Sequence, residues 1–275
     1  MTKVVASTAL DSPSAKSGHQ GLALRTFNNL RKCLDWAWLD IVCQYRRSKL
    51  GPLWETVNVL VMTLGITVVS AAVIGGTTAD LIGYIGLGII VWSFISSSII
   101  EGASTFVRNA SYITGTNLSI DLYVGRTIFK SFIVFCHQLI LYPLALVMGF
   151  VSLSWTSPLA LVGLLLLVLN SYWMVTFLAF VCARYRDVEL VIRNFLQLAF
   201  FITPVFWDYR HIAGNRQFIV DYNVLFYFIE IVRGPLLGEL PPLGYYVIVL
   251  AVTVVGYSLA LLVYRQMRRQ LAFYV

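Results

Sequence analysis

The sequence has little charge, and its longest apolar stretches contain almost none of it. Charged residues make up 12% of the 275 residues, whereas hydrophobic residues make up 59%. The apolar stretches 52–74, 81–100, 131–153, 157–182 and 243–264 hold one Asp, Glu, Lys or Arg between them, Glu55. A soluble domain this apolar would expose far more than the few hundred Å² that monomers tolerate. Because about 20 apolar residues cross a bilayer as a helix, the sequence predicts a polytopic membrane protein.

The sequence also lacks the motifs of catalysis and of ATP binding. It contains no G-x-x-x-x-G-K-[ST] loop, no H-E-x-x-H and no pair of acids within an apolar stretch. Ion-coupled transporters usually need buried ionisable groups, which are almost absent here. We therefore expect that the chain is not an enzyme by itself, holds no cofactor or metal, and takes any energy for uphill transport from another subunit.

Cysteine is scarce and has no metal-binding or redox spacing. The four cysteines are far apart and lie in or beside predicted helices: Cys33, Cys43, Cys136 and Cys182. We interpret them as small apolar packing residues.

The predicted fold is all-α, with six transmembrane helices, an interface helix before them and a non-spanning helix before the last. The spans are about 52–74, 81–100, 131–153, 157–182, 188–207 and 243–264, and the fifth carries Glu189 and Arg193 only near its beginning. Residues 1–27 begin with a stretch rich in Ser, Ala and Thr and are predicted to be a disordered tail. The short loops leave no room for a separate soluble domain, so residues 28–275 are predicted to form one transmembrane domain.

The net charge of +7 is distributed mostly on one side of these spans. If the N-terminus is cytoplasmic, every Lys and Arg except Arg210, Arg216 and Arg233 lies on the inner side. The positive-inside rule then predicts that both termini are cytoplasmic. This distribution explains the basic charge better than nucleic-acid binding does, and we expect no nucleic-acid partner.

Two segments on the inner side are predicted to be helical without crossing. Residues 28–47 repeat apolar residues at offsets of three and four and include Trp36 and Trp38, which suit the headgroup zone. An amphipathic interface helix is therefore predicted, the alternative being a helix packed on a soluble core. The inner segment 101–130 is predicted to contain a short helix at about 103–113, ended by Gly115. This segment is either a docking surface for a cytoplasmic partner or an ordinary loop.

The outer region 208–242 contains a run, 224–232, that is too short to span and too apolar for a free loop. It predicts a re-entrant or interfacial helix bounded by Asp221/Asn223 and by Gly234-Pro235, tolerated where protein or a water-filled cavity covers it. Glu230 and Arg233, three residues apart, are positioned to pair. We interpret Asn223, Glu230 and Arg233 as parts of an outer gate.

Three local patterns occur together and in order in this topology. The first is Y-R-R-S-K-L-G-P-L-W at 45–54. The second is A-R-Y-R-D-V at 183–188, followed by F-I-T-P-V-F-W at 201–207, and the third is the segment 223–238. Together they resemble the membrane subunit of ABC-2 type polysaccharide exporters, which serve O-antigen, capsule and teichoic-acid export. The resemblance covers about residues 28–270.

This resemblance implies a homodimer in the bacterial cytoplasmic (inner) membrane, with two copies of a separate ATPase that binds ATP and Mg²⁺. The helix at about 103–113 would then be a coupling helix, and the predicted docking residues are Ser104, Thr105, Val107, Arg108, Asn109 and Tyr112. The interface helix would frame a lateral gate for a lipid-linked glycan, surrounded by membrane lipids. The predicted gate residues are Trp36, Trp38, Tyr45, Arg46 and Arg47.

Aromatic residues form 14% of the chain and suit a sliding sugar polymer, because their rings stack on the C–H faces of sugars. Many others belong to the interfacial belts. The candidates for the channel lie on spans two and five, and they are Tyr84, Trp92, Phe94, Phe200, Phe201 and Phe206.

Two other functions remain open from the sequence. The first keeps the fold but exports a drug, a haem or a small lipid. The second is a membrane-embedded lipid-modifying enzyme, for which the sequence offers no clustered nucleophile, metal ligands or paired acids.

Overall fold

The computed structural model describes residues 18–74, 77–116, 118–211 and 218–275. Within these ranges the chain is helical and has no strand. The helices are α1 Gly18–Gln44, α2 Leu53–Ile74, α3 Thr78–Arg108, α4 Ala110–Gly115, α5 Ile120–Gln138, α6 Leu141–Val147, α7 Leu159–Arg184, α8 Asp187–Ile202, α9 Phe218–Asp221, α10 Val224–Leu236, α11 Leu243–Met267 and α12 Leu271–Tyr274. A 3₁₀ turn, Tyr209–His211, follows α8. The all-α prediction is confirmed.

Five helical segments of the described residues are long and apolar enough to cross a membrane. They are Leu53–Val73, Leu81–Arg108, Ile120–Val147, Leu159–Arg184 and Leu243–Met267. The sixth predicted span corresponds to α8, which has 16 residues and carries Asp187 and Glu189 in its first turn. A helix of that length covers only about 24 Å, so the predicted six spans are matched by five full-length segments and one shorter helix.

Several predicted boundaries are shifted. Helix α1 begins at Gly18 instead of 28, since its early leucines and alanine favour helix, and residues 1–17 of the predicted tail lie outside the described residues. The third span begins at Ile120, breaks at 139–140 and resumes as α6, where Pro143 has no N–H to continue the ladder. The predicted helix at 103–113 is mostly a continuation of α3, and only α4 is separate.

Helix α3 is the centre of the bundle and packs against α2, α5, α7, α8 and α10. In its most apolar stretch of 18 residues, 72% is buried inside the protein, whereas in the corresponding stretch of α11 only 22% is buried. The α3 glycines allow close approach of neighbouring segments. A Cβ at Gly83 would meet the Phe150 carbonyl oxygen at 2.8 Å, and a Cβ at Gly88 would meet the Val205 carbonyl oxygen at 2.6 Å.

The two ends of α3 carry different elements. Helix α10, the end of α8 and the beginnings of α7 and α11 gather at its N-terminal end, which we call the α10 end. Helices α1, α4 and α12 gather near its C-terminal end, which we call the α1 end. With 31 residues, α3 separates the two ends by about 46 Å.

The contact between α7 and α10 predicts opposite effects for two glycine substitutions. A Cβ at Gly163 would lie 2.2 Å from the Ile231 carbonyl oxygen, whereas a Cβ at Gly65 in α2 meets nothing within 4 Å. We expect Gly163→Ala to destabilise the chain by about 1–3 kcal/mol through overpacking. The control Gly65→Ala is expected to be neutral or stabilising by up to about 1 kcal/mol. Thermal unfolding in detergent measures both, and equal melting temperatures would contradict the packing described here.

Candidate functional site

Helix α1 lies along the bundle and buries one side against α5. Cys33, Ala37 and Ile41 are buried. Several other apolar side chains on α1 remain exposed, namely Leu34, Trp38, Leu39 and Val42. Helix α1 thus has one apolar face in contact with protein and a second apolar face that is free. This pattern suits a helix in the membrane interface, and that location stays a prediction.

Arg126 on α5 ties α1 to the corner between α3 and α4. Its Nε and Nη2 each donate to Asp40 at 2.5 Å, and its Nη1 donates to the Asn109 side-chain oxygen at 2.8 Å. Its guanidinium lies 5.1 Å from the centre of the Trp36 ring. Asn109 in turn donates to the Thr105 carbonyl oxygen at 2.7 Å. One charged side chain therefore joins three elements at the α1 end.

The predicted docking residues lie at this corner, but two of them are corrected. Ser104 and Thr105 are 3% and 2% exposed, and Thr105 bonds to Thr127, so neither side chain has a surface for a partner. Helix α3 continues through them because no proline lies between Ile100 and Arg108, and Gly102 is held in the helix by close packing against Val175. Val107 and Asn109 are half-buried. The exposed side chains of the corner are Arg108, Ser111, Tyr112 and Thr114.

The predicted gate residues occupy α1 and the turn after it. Trp36 is half-buried against Tyr112 and Tyr123, whereas Trp38, Arg46 and Arg47 are exposed. Tyr45 donates to Glu55 Oε1 at 2.9 Å, which ties this turn to the beginning of α2. Burial, and then the bond to Glu55, raises the pKa of the Tyr45 hydroxyl, so Tyr45 remains a donor at neutral pH.

At the α10 end, Asn223 fixes the beginning of the non-spanning helix. Its side-chain oxygen accepts from the backbone N–H groups of Leu225 and Phe226, and its Nδ2 donates to Thr203 at 2.9 Å. The predicted beginning of this helix at Asp221/Asn223 is confirmed at Asn223, whereas its predicted end at Gly234-Pro235 is wrong, because the helix continues through both residues to Leu236. An N-cap of this kind satisfies donors that would otherwise be orphaned in an apolar place.

Arg233 is fully buried and holds α10 against two other elements. Its Nε and Nη2 donate to Glu230 Oε2 at 3.1 and 2.7 Å, which confirms the predicted pair. Its Nη1 donates to the Pro204 carbonyl oxygen at 2.9 Å, and its Nη2 donates to the Tyr84 hydroxyl at 2.8 Å. A buried charge requires this many partners, since leaving one unpaired is costly.

A second basic side chain, Arg210, lies 5.9 Å from the centre of the Tyr84 ring. Arg210 forms salt bridges with Asp208 at 2.7 Å and with Glu239 at 2.5 Å. Its hydrogen bonds to Asp208, above all, raise the pKa of the Arg210 guanidinium. The segment after α8 is thereby joined to the segment after α10.

The structure brings four of the six predicted channel aromatics together. Trp92 and Phe206 each lie 5.5 Å from the Phe200 ring, and Phe201 lies 6.0 Å from Phe206. Phe201 is 59% exposed. The other two are corrected. Tyr84 is held under Arg233, with 3.8 Å between the guanidinium and the ring, and Phe94 is buried against α5 beside Phe132 and Phe135.

The sequence reasoning missed two polar features. The first is the bond between Asp40 and Arg126, which are far apart in the chain and carry no short-range signal. The second is a polar face on α3 formed by Ser93, Ser96, Ser97 and Glu101. Its signal was available, because these residues recur at offsets of three, four and eight in an otherwise apolar run.

This arrangement defines a multi-pass membrane protein in which α1 and the α3–α4 corner lie at one end of the bundle and α10 is anchored at the other. The sequence model of the ABC-2 type transporter family matches residues 33–237. The chain belongs to this family.

Two curated relatives carry the same description, "O-antigen export system permease protein RfbA". The protein of Myxococcus xanthus is 23% identical over 171 residues, which are 61% of this chain and 65% of that protein. The protein of Klebsiella pneumoniae is 23% identical over 193 residues, which are 68% of this chain and 72% of that protein. The match thus covers less than two thirds of the Myxococcus protein.

The buried pair at Arg233 predicts a large and specific loss of stability. We expect Arg233→Met to destabilise the chain by about 3–5 kcal/mol, because Glu230 is left buried and unpaired. Combining it with Glu230→Gln should recover part of that loss. The control is Arg193→Met in the exposed pair with Glu189, which should cost less than about 1 kcal/mol. Equal thermal stabilities of the two single variants would contradict this account.

Proposed function

We propose that the chain is the channel-forming membrane subunit of an ATP-driven exporter that moves a lipid-linked polysaccharide across the cytoplasmic membrane. Two copies would line the passage, and two copies of a separate ATPase would supply the energy. Family membership and the relatives described as O-antigen export permeases support this proposal. The absence of a phosphate-binding loop from the sequence is consistent with a separate ATPase.

The proposal gives the two ends opposite sides of the membrane. The α1 end would be cytoplasmic, since the short segments there carry most of the Lys and Arg residues. The α10 end would then face outward, and α10 would cover the outer mouth. The exposed ring of Phe201 and the half-buried ring of Phe206 near that end are the candidates for contact with the glycan.

One observation carries the proposed energy coupling: the exposed α3–α4 corner is bonded to the interface helix. An ATPase that pushes on Arg108 and Tyr112 would move Asn109, and Asn109 shares Arg126 with Asp40 on α1. Displacement of the corner would therefore shift α1, where the lipid-linked substrate is proposed to enter. This connection requires no long-range signal through the centre of the bundle.

A second candidate cargo, a small lipid, is favoured by an apolar cavity in the bundle. This cavity has a volume of about 310 Å³ and lies between α2, α3 and α6, with an almost entirely apolar lining that includes Leu60, Leu87 and Met148. Such a site suits an acyl chain rather than a sugar.

Reconstitution distinguishes the two cargoes. The chain and its ATPase, placed together in liposomes, should move a fluorescent polyprenyl-diphosphate-linked oligosaccharide only when ATP is present. Movement without the ATPase, or movement of small lipids but not of the glycolipid, would contradict the proposed function.

The proposed docking at the corner predicts a loss of coupling on charge reversal. We expect Arg108→Glu to reduce the stimulation of the ATPase by about tenfold, equivalent to about 1.4 kcal/mol of interaction energy. Folding and insertion should be unaffected, because Arg108 is exposed. The matched control is Arg265→Glu, an exposed arginine in the last turn of α11. If both variants stimulate the ATPase equally, the docking assignment is wrong.

A further inference from the structure

A groove on the outer side of the bundle runs between α7 and α11 and continues between α5 and α7. It consists of two adjoining cavities that share Tyr172 and Tyr257, and we call it the α7 groove. Leu165, Leu169 and Leu261 on its walls are 69%, 42% and 49% exposed, so a ligand can enter from the side. Because these leucines lie on spanning helices, the groove opens at the height of the bilayer.

The two cavities of the α7 groove differ in polarity. The one nearer the α1 end has a volume of about 290 Å³, and its lining includes Asp121 and Tyr264. The other has a volume of about 320 Å³, and the described residues that line it carry no charge and include Leu30, Phe129 and Phe132. A polar cavity next to an apolar one matches an amphiphile whose polar group lies toward the α1 end.

Asp121 supplies the one charged side chain among the described residues that line the groove. It is exposed, and its Oδ1 accepts a hydrogen bond from the Tyr172 hydroxyl at 3.0 Å. No basic residue in the described ranges forms a salt bridge with it. The carboxylate therefore has a negative charge without a cationic partner in the protein, and a ligand can reach it.

Aromatic rings line the groove beside this carboxylate. Tyr172 and Tyr257 are nearly parallel, with 6.3 Å between the ring centres and 9° between the ring planes. The Tyr257 hydroxyl donates to the Leu169 carbonyl oxygen at 3.0 Å, and the Trp173 ring packs so closely on Gly256 that a Cβ there would lie 2.2 Å from it. These contacts fix the walls before a ligand binds. Ring faces within about 6 Å attract a cation.

The edge of the groove at the α1 end carries the opposite charge. The Arg268 guanidinium lies 5.7 Å from the centre of the Tyr264 ring, which lines the groove. An ammonium group bonds well to a carboxylate, and a phosphate bonds well to a guanidinium. An acid in the groove and a base at its edge therefore match a zwitterion, whereas an anionic headgroup would be repelled by Asp121.

We propose that the α7 groove binds a phospholipid with a primary ammonium headgroup, of which phosphatidylethanolamine is the simplest. The ammonium group donates to Asp121 beside the rings of Tyr172 and Tyr257, and the phosphate lies on the side of Arg268. One acyl chain lies in the apolar cavity. The site is a lipid site outside any transport passage, and it does not depend on which cargo the protein moves.

Two acids at matched positions allow a test of the headgroup contact. Asp121 and Asp187 are both exposed in the first turn of a helix that begins at the α1 end, but Asp187 lines neither cavity. Asp121→Asn should weaken the binding of phosphatidylethanolamine to the delipidated, detergent-solubilised chain by about fivefold, as measured by native mass spectrometry. Asp187→Asn should leave this affinity unchanged. Both variants lose the same type of interaction with a helix dipole, so their melting temperatures should agree.

Two further arms separate the headgroup from the acyl chain. Phosphatidylglycerol with the same chains has no ammonium group, so Asp121→Asn should not weaken its binding. Leu165→Ser should weaken the binding of both lipids by about threefold through the apolar cavity. The control Leu161→Ser, on the same helix and also 69% exposed but outside the groove, should not.

The results that would overturn the proposal are distinct. If Asp121→Asn and Asp187→Asn bind phosphatidylethanolamine equally, or if Asp121→Asn weakens both lipids to the same degree, the ammonium site is refuted. If Leu165→Ser binds both lipids as tightly as Leu161→Ser does, the placement of the acyl chain is wrong. A wild type that retains no phosphatidylethanolamine would refute the lipid site while leaving the proposed export function untouched.

Discussion

In a hydrocarbon layer, every buried polar group must find its partner within the protein, and this constraint decides where the non-spanning helix α10 can sit. Its single cation, Arg233, is fully buried and bonds to Glu230, Tyr84 and the Pro204 carbonyl oxygen. The same bonds that satisfy the charge attach α10 to α3 and to the segment after α8. The anchoring of α10 therefore follows from the need to satisfy one arginine.

The same constraint acts at the α1 end with a different outcome. Arg126 is only partly buried, and it divides its donors between Asp40 on α1 and Asn109 at the α3–α4 corner. Each end of α3 thus has an arginine that binds an element lying outside the main spans. The buried Arg233 favours a fixed contact, whereas Arg126, in reach of water, suits a contact that changes during transport. Helix α3 is the rigid connection between them.

The sequence was sufficient to predict the elements set by local physics. Apolar length predicted the five full-length spans, Asn223 marked the beginning of α10, and a spacing of three predicted the pair of Glu230 and Arg233. Contacts between distant segments were out of reach, because nothing in the sequence links Asp40 to Arg126 or Tyr84 to Arg233. The burial of Ser104, Thr105 and Phe94 was missed for the same reason, since periodicity does not say which neighbour covers a face. The polar face of α3 could have been predicted from the spacing of its residues, but the high mean hydropathy of the whole span drew attention away from it.

The central claim is that α10 enters and leaves the membrane at one side, opposite to the corner between α3 and α4. Labelling of single cysteines with an impermeant reagent tests it directly, in a background without the four native cysteines. Tyr222 and Leu240 flank α10 and are 86% and 72% exposed, and Tyr112 is exposed at the corner. The account predicts that Tyr222→Cys and Leu240→Cys react in intact cells, whereas Tyr112→Cys reacts only after permeabilisation. Reaction of the two flanking positions from opposite sides would make α10 part of a span and contradict the account.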